Sequence, residues 1–486
     1  MSIKQSLNHI ATIRRSTVLI IAMGALLQGC THTDHVAQPS LPDSYRNATS
    51  TVATFDGAWW TSLGDAELTR LIERASQANL DVEAATARIA AARARMGIAK
   101  SKSAPQIDSV TRSSREQMSE NGLLLSSGGS DAFPNTYTLM TNGLDASWEL
   151  DLFGSHAAGR RKTAAQYRDA VADRDAARLS LTAEVARIYV EHIAYSQQLA
   201  SANAVVDLAR ERVELIEQQY ANGQVASSEL SAGKLELEAA RAQVTPLRAE
   251  AEARRYAMGL LMGTSEAIEL PVVSALLADE TRVAKTEIAT DVGLPSDLLR
   301  RRPDIRRAEA AFESAVADRS IAVADQYPRF AIVASGGYES IERGSLFNSA
   351  SQFWALAPQL TLPLFDGGRR RSVVEQREAE VAAATAAYRQ SVLAAFVDVE
   401  QALIRHHGAQ RSMQSQVAAL EHARAIVVQE RARFDEGAST KPQWLLAQAD
   451  FESHRQAALE GKKQALLSLI TLYKSLGGDA EHGGSS

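Results

Sequence analysis

The chain has 486 residues, a formal charge of −6 and a single cysteine. That length exceeds one ordinary domain, and the near-balanced charge gives no basic surface for nucleic acid, so no nucleic-acid partner is expected. An aromatic content of 6% and only 12 prolines, beside long stretches rich in Ala, Glu, Gln, Arg and Leu, point to long helices and not to an all-β or disordered chain.

The first element is a targeting segment over residues 1–29. Lys4, Arg14 and Arg15 form a basic start, a largely apolar run extends from Thr17 to Leu27, and Gly29 precedes Cys30. Leu27-Gln28-Gly29-Cys30 resembles a bacterial lipobox, which implies cleavage before Cys30 and lipid on its thiol. Gln28 departs from the Ala or Ser usual in that pattern, which keeps an ordinary signal peptide with a chance cysteine as the alternative. Thr31, in place of Asp, resembles the outer-membrane sorting choice. A lone cysteine excludes disulfides and Cys-based metal sites from the mature chain.

Residues 30–57, with Pro39, Pro42 and many Ser, Thr and Asp, read as an extended tether. His32 and His35 flank Asp34 there, and in a tether they read as solvated spacer and not as metal ligands. No later stretch offers the roughly 18 uncharged apolar residues of a spanning helix, so a membrane crossing by the mature chain must use strands.

The remainder is built twice: a first repeat over residues 58–270, a linker over 271–293, a second repeat over 294–478, and a tail over 479–486. Leu80-Asp81-Val82 through Ser103-Ala104-Pro105 aligns without gaps on Pro303-Asp304-Ile305 through Gln326-Tyr327-Pro328, 223 residues later. Each copy predicts a helix that ends at a proline. The offset falls to 212 where Phe153 meets Phe365, which assigns 11 extra residues to a loop of the first half. It becomes 214 where Tyr220-Ala221-Asn222-Gly223 meets Phe434-Asp435-Glu436-Gly437.

After each proline the period changes to alternation. Leu144, Ala146, Trp148, Leu150 and Leu152 alternate with Asp145, Ser147, Glu149 and Asp151, the pattern of a strand with one apolar face. Trp354, Leu356, Leu360, Leu362 and Leu364 repeat it, with Pro358 and Pro363 marking a bent or edge strand. Weaker partner strands fall near Gln106 to Arg115 and Arg329 to Glu342, giving one hairpin per half. Four strands cannot close a barrel, and an open edge in lipid costs several kcal/mol per unsatisfied group. Either the strands form a soluble subdomain or the chain oligomerises; three chains supply about twelve strands, within the range of membrane barrels.

Beyond Phe153 a 4-3 spacing runs through Leu181, Val185, Ile188, His192, Tyr195, Leu199, Ala202, Val206, Ala209, Val213, Ile216 and Tyr220. The second half answers with Ala395, Val399, Ala402, His406, Ala409, Met413, Leu420, Ala423 and Val427. Seams of this length imply long coiled-coil-like helices, about 100 Å at ~1.5 Å per residue. Gly223 and Gly437 end them, and a returning helix follows each, so two helical hairpins are expected. His192 and His406 occupy matching seam positions and read as packed or lumen-facing residues in preference to ligands or proton relays. The chain has neither a zinc-protease helix motif nor a phosphate-binding glycine loop, so no metal, no cofactor and no enzymatic activity are expected.

The duplicated plan resembles the outer-membrane factor family of TolC-like channels, in its OprM/NodT-like lipoprotein branch. The stretches that carry the resemblance are Trp59-Trp60 with Leu68, Leu71 and Ile72; Gly293-Leu294-Pro295-Ser296-Asp297-Leu298-Leu299-Arg300-Arg301-Arg302-Pro303-Asp304-Ile305; Leu362-Pro363-Leu364-Phe365-Asp366-Gly367-Gly368; and Leu472-Tyr473-Lys474-Ser475-Leu476-Gly477-Gly478. The resemblance implies a mainly α chain with a membrane β-barrel, a homotrimeric α/β barrel in the outer membrane with its helices in the periplasm. It also implies a passive exit duct of a resistance-nodulation-division efflux pump, partnered by a periplasmic adaptor, an inner-membrane transporter and outer-membrane lipid. A type I protein-secretion duct and a periplasmic structural lipoprotein are the alternatives.

In such channels the helical tips meet the adaptor and close the aperture. Those tips map to Tyr220, Gly223, Ser227 and Glu229 in the first half, and to Arg433, Asp435, Glu436, Gly437, Ser439, Lys441, Pro442, Gln443 and Leu446 in the second. Related channels carry aspartates where this chain has Gln443 and Leu446, so the constriction is expected to rest on packing and on charges such as Arg433 with Glu229 or Glu436. The alternative is that these charges are solvated turn residues.

Overall fold

The computed structural model describes residues 41–48, 58–119, 136–278 and 295–478. The signal segment, Cys30 and most of the tether lie outside the described residues, as do most of the linker and the tail. Seven long helices and four strands follow in order: α1 (Ala66–Ala78), α2 (Leu80–Ser101), β1 (Gln106–Gln117), β2 (Thr136–Leu150), α3 (Ser155–Ala221), α4 (Ser227–Leu261), α5 (Pro303–Ala324), β3 (Arg329–Ser340), β4 (Gln352–Thr361), α6 (Arg369–Asp435) and α7 (Lys441–Ser475). No described helix is long and apolar enough to cross a membrane.

The duplication is visible in the element lengths. Helices α2 and α5 each have 22 residues, α3 and α6 each 67, and α4 and α7 each 35. At ~1.5 Å per residue, α3 and α6 are each about 100 Å long. From the second strand of each hairpin onward the two halves keep one offset of 214: Gly154 and Gly368, both at positive φ, precede α3 and α6. Phe153 and Phe365 are therefore not equivalent. Phe153 stacks on Tyr327 with ring centroids 4.8 Å apart, whereas Phe365 is 93% exposed, because the second half inserts two more residues between its Phe and the helix.

The four strands form one antiparallel sheet in the order β1-β2-β3-β4, so the two hairpins join through β2 and β3 and leave β1 and β4 as edges. Strand β2 begins at Thr136, earlier than its alternating pattern, and β4 ends at Thr361, leaving Leu362 and Leu364 beyond it. The register sorts the side chains. Leu144, Ala146, Trp148 and Leu150 lie opposite Gly336, Ala334, Ile332 and Phe330, which in turn face Trp354, Leu356, Pro358 and Leu360. Opposed residues share a face, so over these rows of β2, β3 and β4 one side of the sheet is apolar, while β1 gives that side Ile107 with Ser109, Thr111, Ser113 and Arg115. The other side carries Asp108, Arg112, Glu116, Asp145, Ser147, Glu149, Arg329, Glu339 and Gln359.

The helices are held where the two halves meet. Leu68, Leu71 and Ile72 of α1 pack with Val185, Ile188, Tyr189 and Ile193 of α3, Met258 of α4, Leu276 and Leu277 of the linker, and Leu466, Leu469 and Ile470 of α7. Burying each such side chain contributes about 1.5–3 kcal/mol. Asp65 organises this core: its carboxylate accepts from the backbone N–H of Glu67 and Leu68 at the start of α1, from the Tyr189 hydroxyl of α3 at 3.0 Å and from the Ser274 hydroxyl of the linker at 2.5 Å.

Three of the stretches that carry the family resemblance close the same region. Trp59 stacks on Tyr473 at 5.1 Å, and Arg302 donates to the Ser475 carbonyl at 2.9 Å while pairing with Asp304 and Asp398. The start, middle and end of the repeats are thereby clasped together. Nearer the N-terminus, Tyr45 stacks on Phe396 and the Arg46 N–H donates to Glu400, fastening the middle of the 30–57 segment to α6.

Replacing Asp65 by Ala should remove a helix cap and leave two buried hydroxyls short of an acceptor. A loss of about 2–4 kcal/mol is expected from those two causes. It would be read as a lowered unfolding midpoint, with Asp65→Asn intermediate.

Candidate functional site

The sites of interest in a chain of this shape are the ends of its helical hairpins and the seams that hold the hairpins shut. Both tips are built by the same backbone device. Gly223 N–H donates to the Tyr220 carbonyl and Gln224 N–H to the Gln219 carbonyl; Gly437 N–H donates to Phe434 and Ala438 N–H to Arg433. Both glycines sit at φ near +70°, 70° and 76°, which a side chain would strain, so glycine is what allows each long helix to stop and reverse.

Beyond the glycines the tips differ. Helix α7 starts with a capping box: the Thr440 side chain accepts from the Gln443 backbone, and Gln443 Oε1 accepts from the Thr440 N–H at 3.1 Å and the Ser439 hydroxyl at 3.0 Å. Gln443 is thus committed to its own helix end, and Pro442 sits in the first turn. Phe434 and Trp444 stack at 5.9 Å, with the Arg431 guanidinium over Trp444 at 4.6 Å and paired to Asp435 at 3.0 Å. Helix α4 starts at Ser227 after Ala226, which offers no side-chain cap, and Tyr220 is 46% exposed. Glu229 stands in its first turn, at the position matching Gln443, where a carboxylate suits the helix N-terminus.

The charges pair differently from the sequence expectation. Arg433 meets neither Glu229 nor Glu436; it pairs with Glu430 at 2.7 Å, one turn back on the same helix, and Glu430 also accepts from Ser439. An i,i+3 partner needs no ordering of a loop, which is why it wins. Lys441 makes the long-range contact, with Glu211 of α3 at 2.5 Å, joining the two hairpins at the tip. Leu446 is 41% exposed. The Thr-x-x-Gln box was legible in the sequence as a helix start. Glu211 was not, since nothing local links it to a residue 230 positions on.

In the first hairpin the seam is apolar or small where Val206, Ala209 and Val213 of α3 pack with Leu237 and Ala240 of α4, and ion pairs of Arg212 with Glu236 and Lys234 with Glu217 flank it. Between the hairpins, polar ties join α3 to α7. Ser201 donates to the Glu452 carboxylate at 2.6 Å, Gln198 donates to Glu460 at 3.1 Å, and the Lys463 ammonium lies over the Tyr195 ring at 4.6 Å.

His192 and His406 are packing residues, 3% and 2% exposed. His192 Nδ1 donates to the Ala251 carbonyl of α4 at 2.9 Å, and His406 Nδ1 lies 3.0 Å from the Ser468 hydroxyl of α7. Burial lowers the pKa of both, and with His407 beside it His406 is pushed down to about 4. No group of residues suited to hold a metal occurs among the described residues.

A sheet with one lipid-compatible face, continued into paired helices about 100 Å long, defines a channel that crosses a membrane by strands and reaches far beyond it. The model of the family described as outer membrane efflux protein matches residues 71–264 and 294–478. The chain belongs to the outer membrane efflux protein family, and its place is the outer membrane with the helices in the periplasm. It is similar to outer membrane protein OprJ of Pseudomonas aeruginosa, 29% identical over 96% of each chain. It is likewise similar to the solvent efflux pump outer membrane protein SrpC of Pseudomonas putida, 28% identical over 85% of this chain and 86% of the relative. Among solved structures, the outer-membrane channel OprN shares 27% identity at a TM-score of 0.78, covering 93% of this chain and 99% of that one.

Two outcomes follow from the site. Thr440→Ala should cost about 1 kcal/mol at the start of α7, seen as faster amide exchange there with the remainder of the helix unchanged. Because the folded pKa of His406 lies below its unfolded value near 6.5, its neutral form favours the fold above that pH. On the order of 3 kcal/mol per chain is then lost as pH falls from about 6.5 to about 4. His406→Gln should flatten the unfolding midpoint across that window.

Proposed function

We propose that this chain is the passive outer-membrane exit duct of a tripartite efflux pump of the resistance-nodulation-division type, working as a homotrimer with a periplasmic adaptor and an inner-membrane transporter. The observation that carries the reading is the sheet: one face is apolar across β2, β3 and β4, and the sheet is open at both edges. Such a sheet is stable in lipid only when copies close it into a ring, and the ring then encloses water. Solutes cross by diffusion along that path, and the energy comes from the inner-membrane partner. The chain does no catalysis. Residues 1–29 direct export and are removed, Cys30 carries lipid, and residues 30–57 tether that anchor to the helices. The rest divides into a first repeat to residue 270, a linker, a second repeat from residue 294 and a short tail from 479.

The gate lies at the tips around Gly223 and Gly437, with Glu229, Arg433, Asp435, Glu436, Lys441, Pro442, Gln443 and Leu446 presented to the adaptor. Each hairpin moves as a unit, held in the first half by the apolar seam together with the ion pairs of Arg212 with Glu236 and Lys234 with Glu217. The hairpins separate from each other along the α3–α7 face, whose polar ties exchange readily for water. An adaptor that binds the parted tips more tightly shifts the population toward the open state.

The deciding experiment is ion conductance of the purified full-length protein in planar bilayers together with its mass in detergent. Trimer mass with discrete conductance steps is expected; a monomer without conductance would favour a periplasmic scaffold. For the gate, Lys441→Glu should raise open probability modestly, about two-fold, since a half-exposed ion pair contributes roughly 0.2–1 kcal/mol. Adding Glu211→Lys should restore the closed channel, and a null effect in both would remove this pair from the gate.

A further inference from the structure

The lipid-facing side of the sheet changes character along its height. Its rows run from Leu150, Phe330 and Leu360 to Leu144, Gly336 and Trp354, where the apolar stretch ends at a tryptophan that is 82% exposed. Exposed tryptophan marks the level where hydrocarbon gives way to headgroups. Helices α3 and α6 leave the opposite, periplasmic ends of the strands, so this boundary is the outer one. Beyond it the same side carries Thr111 with Asn142, Ser113, and Arg115 with Thr138. Asn142 donates to the Thr111 hydroxyl at 2.8 Å.

Arg115 is the single charged side chain on this side of the four strands. A cation facing lipid is costly at mid-depth and nearly free at the interface, so its place suits its height. It is exposed and has no acidic partner among the described residues, and Arg343 is likewise exposed and without one. Arg343 opens a short 3-10 turn, Arg343–Ser345, in the β3–β4 connection. Phe347 of that connection meets the Tyr338 ring at 5.6 Å. Tyr338 lies opposite Asn142 on the lipid-facing side, so the connection folds back over that side and leaves Phe347 69% exposed there. Strands β1 and β3 are two places apart, about 10 Å, which spaces the two arginines for a head that carries more than one phosphate. Glu342 is the one acidic residue of the connection, so the rim keeps a net positive charge.

Height decides which lipid can use these groups. On β2, Thr138 stands six residues beyond Leu144. That is about 20 Å along the strand, and about 15 Å of height at the tilt usual in membrane barrels. The headgroup layer of an ordinary bilayer is only about 5–8 Å deep on each side. A head of several sugar rings spans the difference, and guanidinium forks match phosphate oxygens two at a time. We propose that this face seats the head of a phosphorylated glycolipid of the outer leaflet, with Arg115 and Arg343 taking its phosphates and Phe347 bracing its sugar rings. The inference rests on the membrane-spanning ring proposed above.

The test uses the full-length protein in mild detergent and counts bound lipid by native mass spectrometry. Three lipids are compared: lipid A with two phosphates, the same lipid after dephosphorylation, and phosphatidylglycerol, an anionic lipid with a small head. The trimer should retain the diphosphorylated glycolipid. Combining Arg115→Gln with Arg343→Gln should lower retention about fivefold to tenfold, and removing the phosphates should do the same in the unaltered chain. Arg112→Gln, on the other side of the same strand, should change nothing. Phosphatidylglycerol held as firmly as the glycolipid, a double variant that binds as the parent does, or an equal loss with Arg112→Gln overturns the seat and leaves the ring standing. A monomer mass overturns the ring, and the seat with it.

Discussion

A backbone amide inside a bilayer has no water to bond, and this single constraint arranges the rest of the molecule. Strands β1 and β4 each present an unpaired edge of ten residues or more. An edge of that length in hydrocarbon would forfeit several kcal/mol for each group left unpaired. The apolar rows that run across β2, β3 and β4 suit lipid. The open edges make sense only if another chain covers them. Copy number, lumen and the alignment of the helices beneath all descend from that one requirement.

The helical part answers a different demand, that of standing about 100 Å tall in water without a broad core. It does so by dividing labour along its length. The core around Asp65 gathers both repeats and the linker into one apolar mass. Toward the tips, small residues such as Ala202, Ala209 and Ala402 are buried where helices lie close, and polar contacts such as Ser201 with Glu452 join one hairpin to the other.

Much of this plan was legible in the residues. The repeat, the two hairpins, the four strands and the heptad seams all rest on local periodicity, which water imposes position by position. What periodicity could not fix were contacts at long range. The match of Phe153 to Phe365 followed a motif, but the turn absorbed two residues and gave the two rings unlike surroundings. Arg433 has acidic residues on several sides, and composition alone cannot say that Glu430, one turn away, takes it. Lys441 stood out at the tip, while its partner Glu211 lies on another helix. His192 and His406 invited a chemical reading by their matched positions. Their burial against α4 and α7 assigns them to packing.

The equal lengths of the two hairpins carry a consequence for whatever docks beneath them. Since α3 matches α6 and α4 matches α7 residue for residue, both turns of a copy reach the same depth. A ring of three copies then presents six ends in one plane, alternating between a capped, aromatic-braced kind and an uncapped kind. A partner that reads backbone shape alone encounters six nearly equal seats. One that reads side chains encounters three of each. The stoichiometry of the complex is thus a question of which language the partner reads, and the chain supplies both from a single duplicated design.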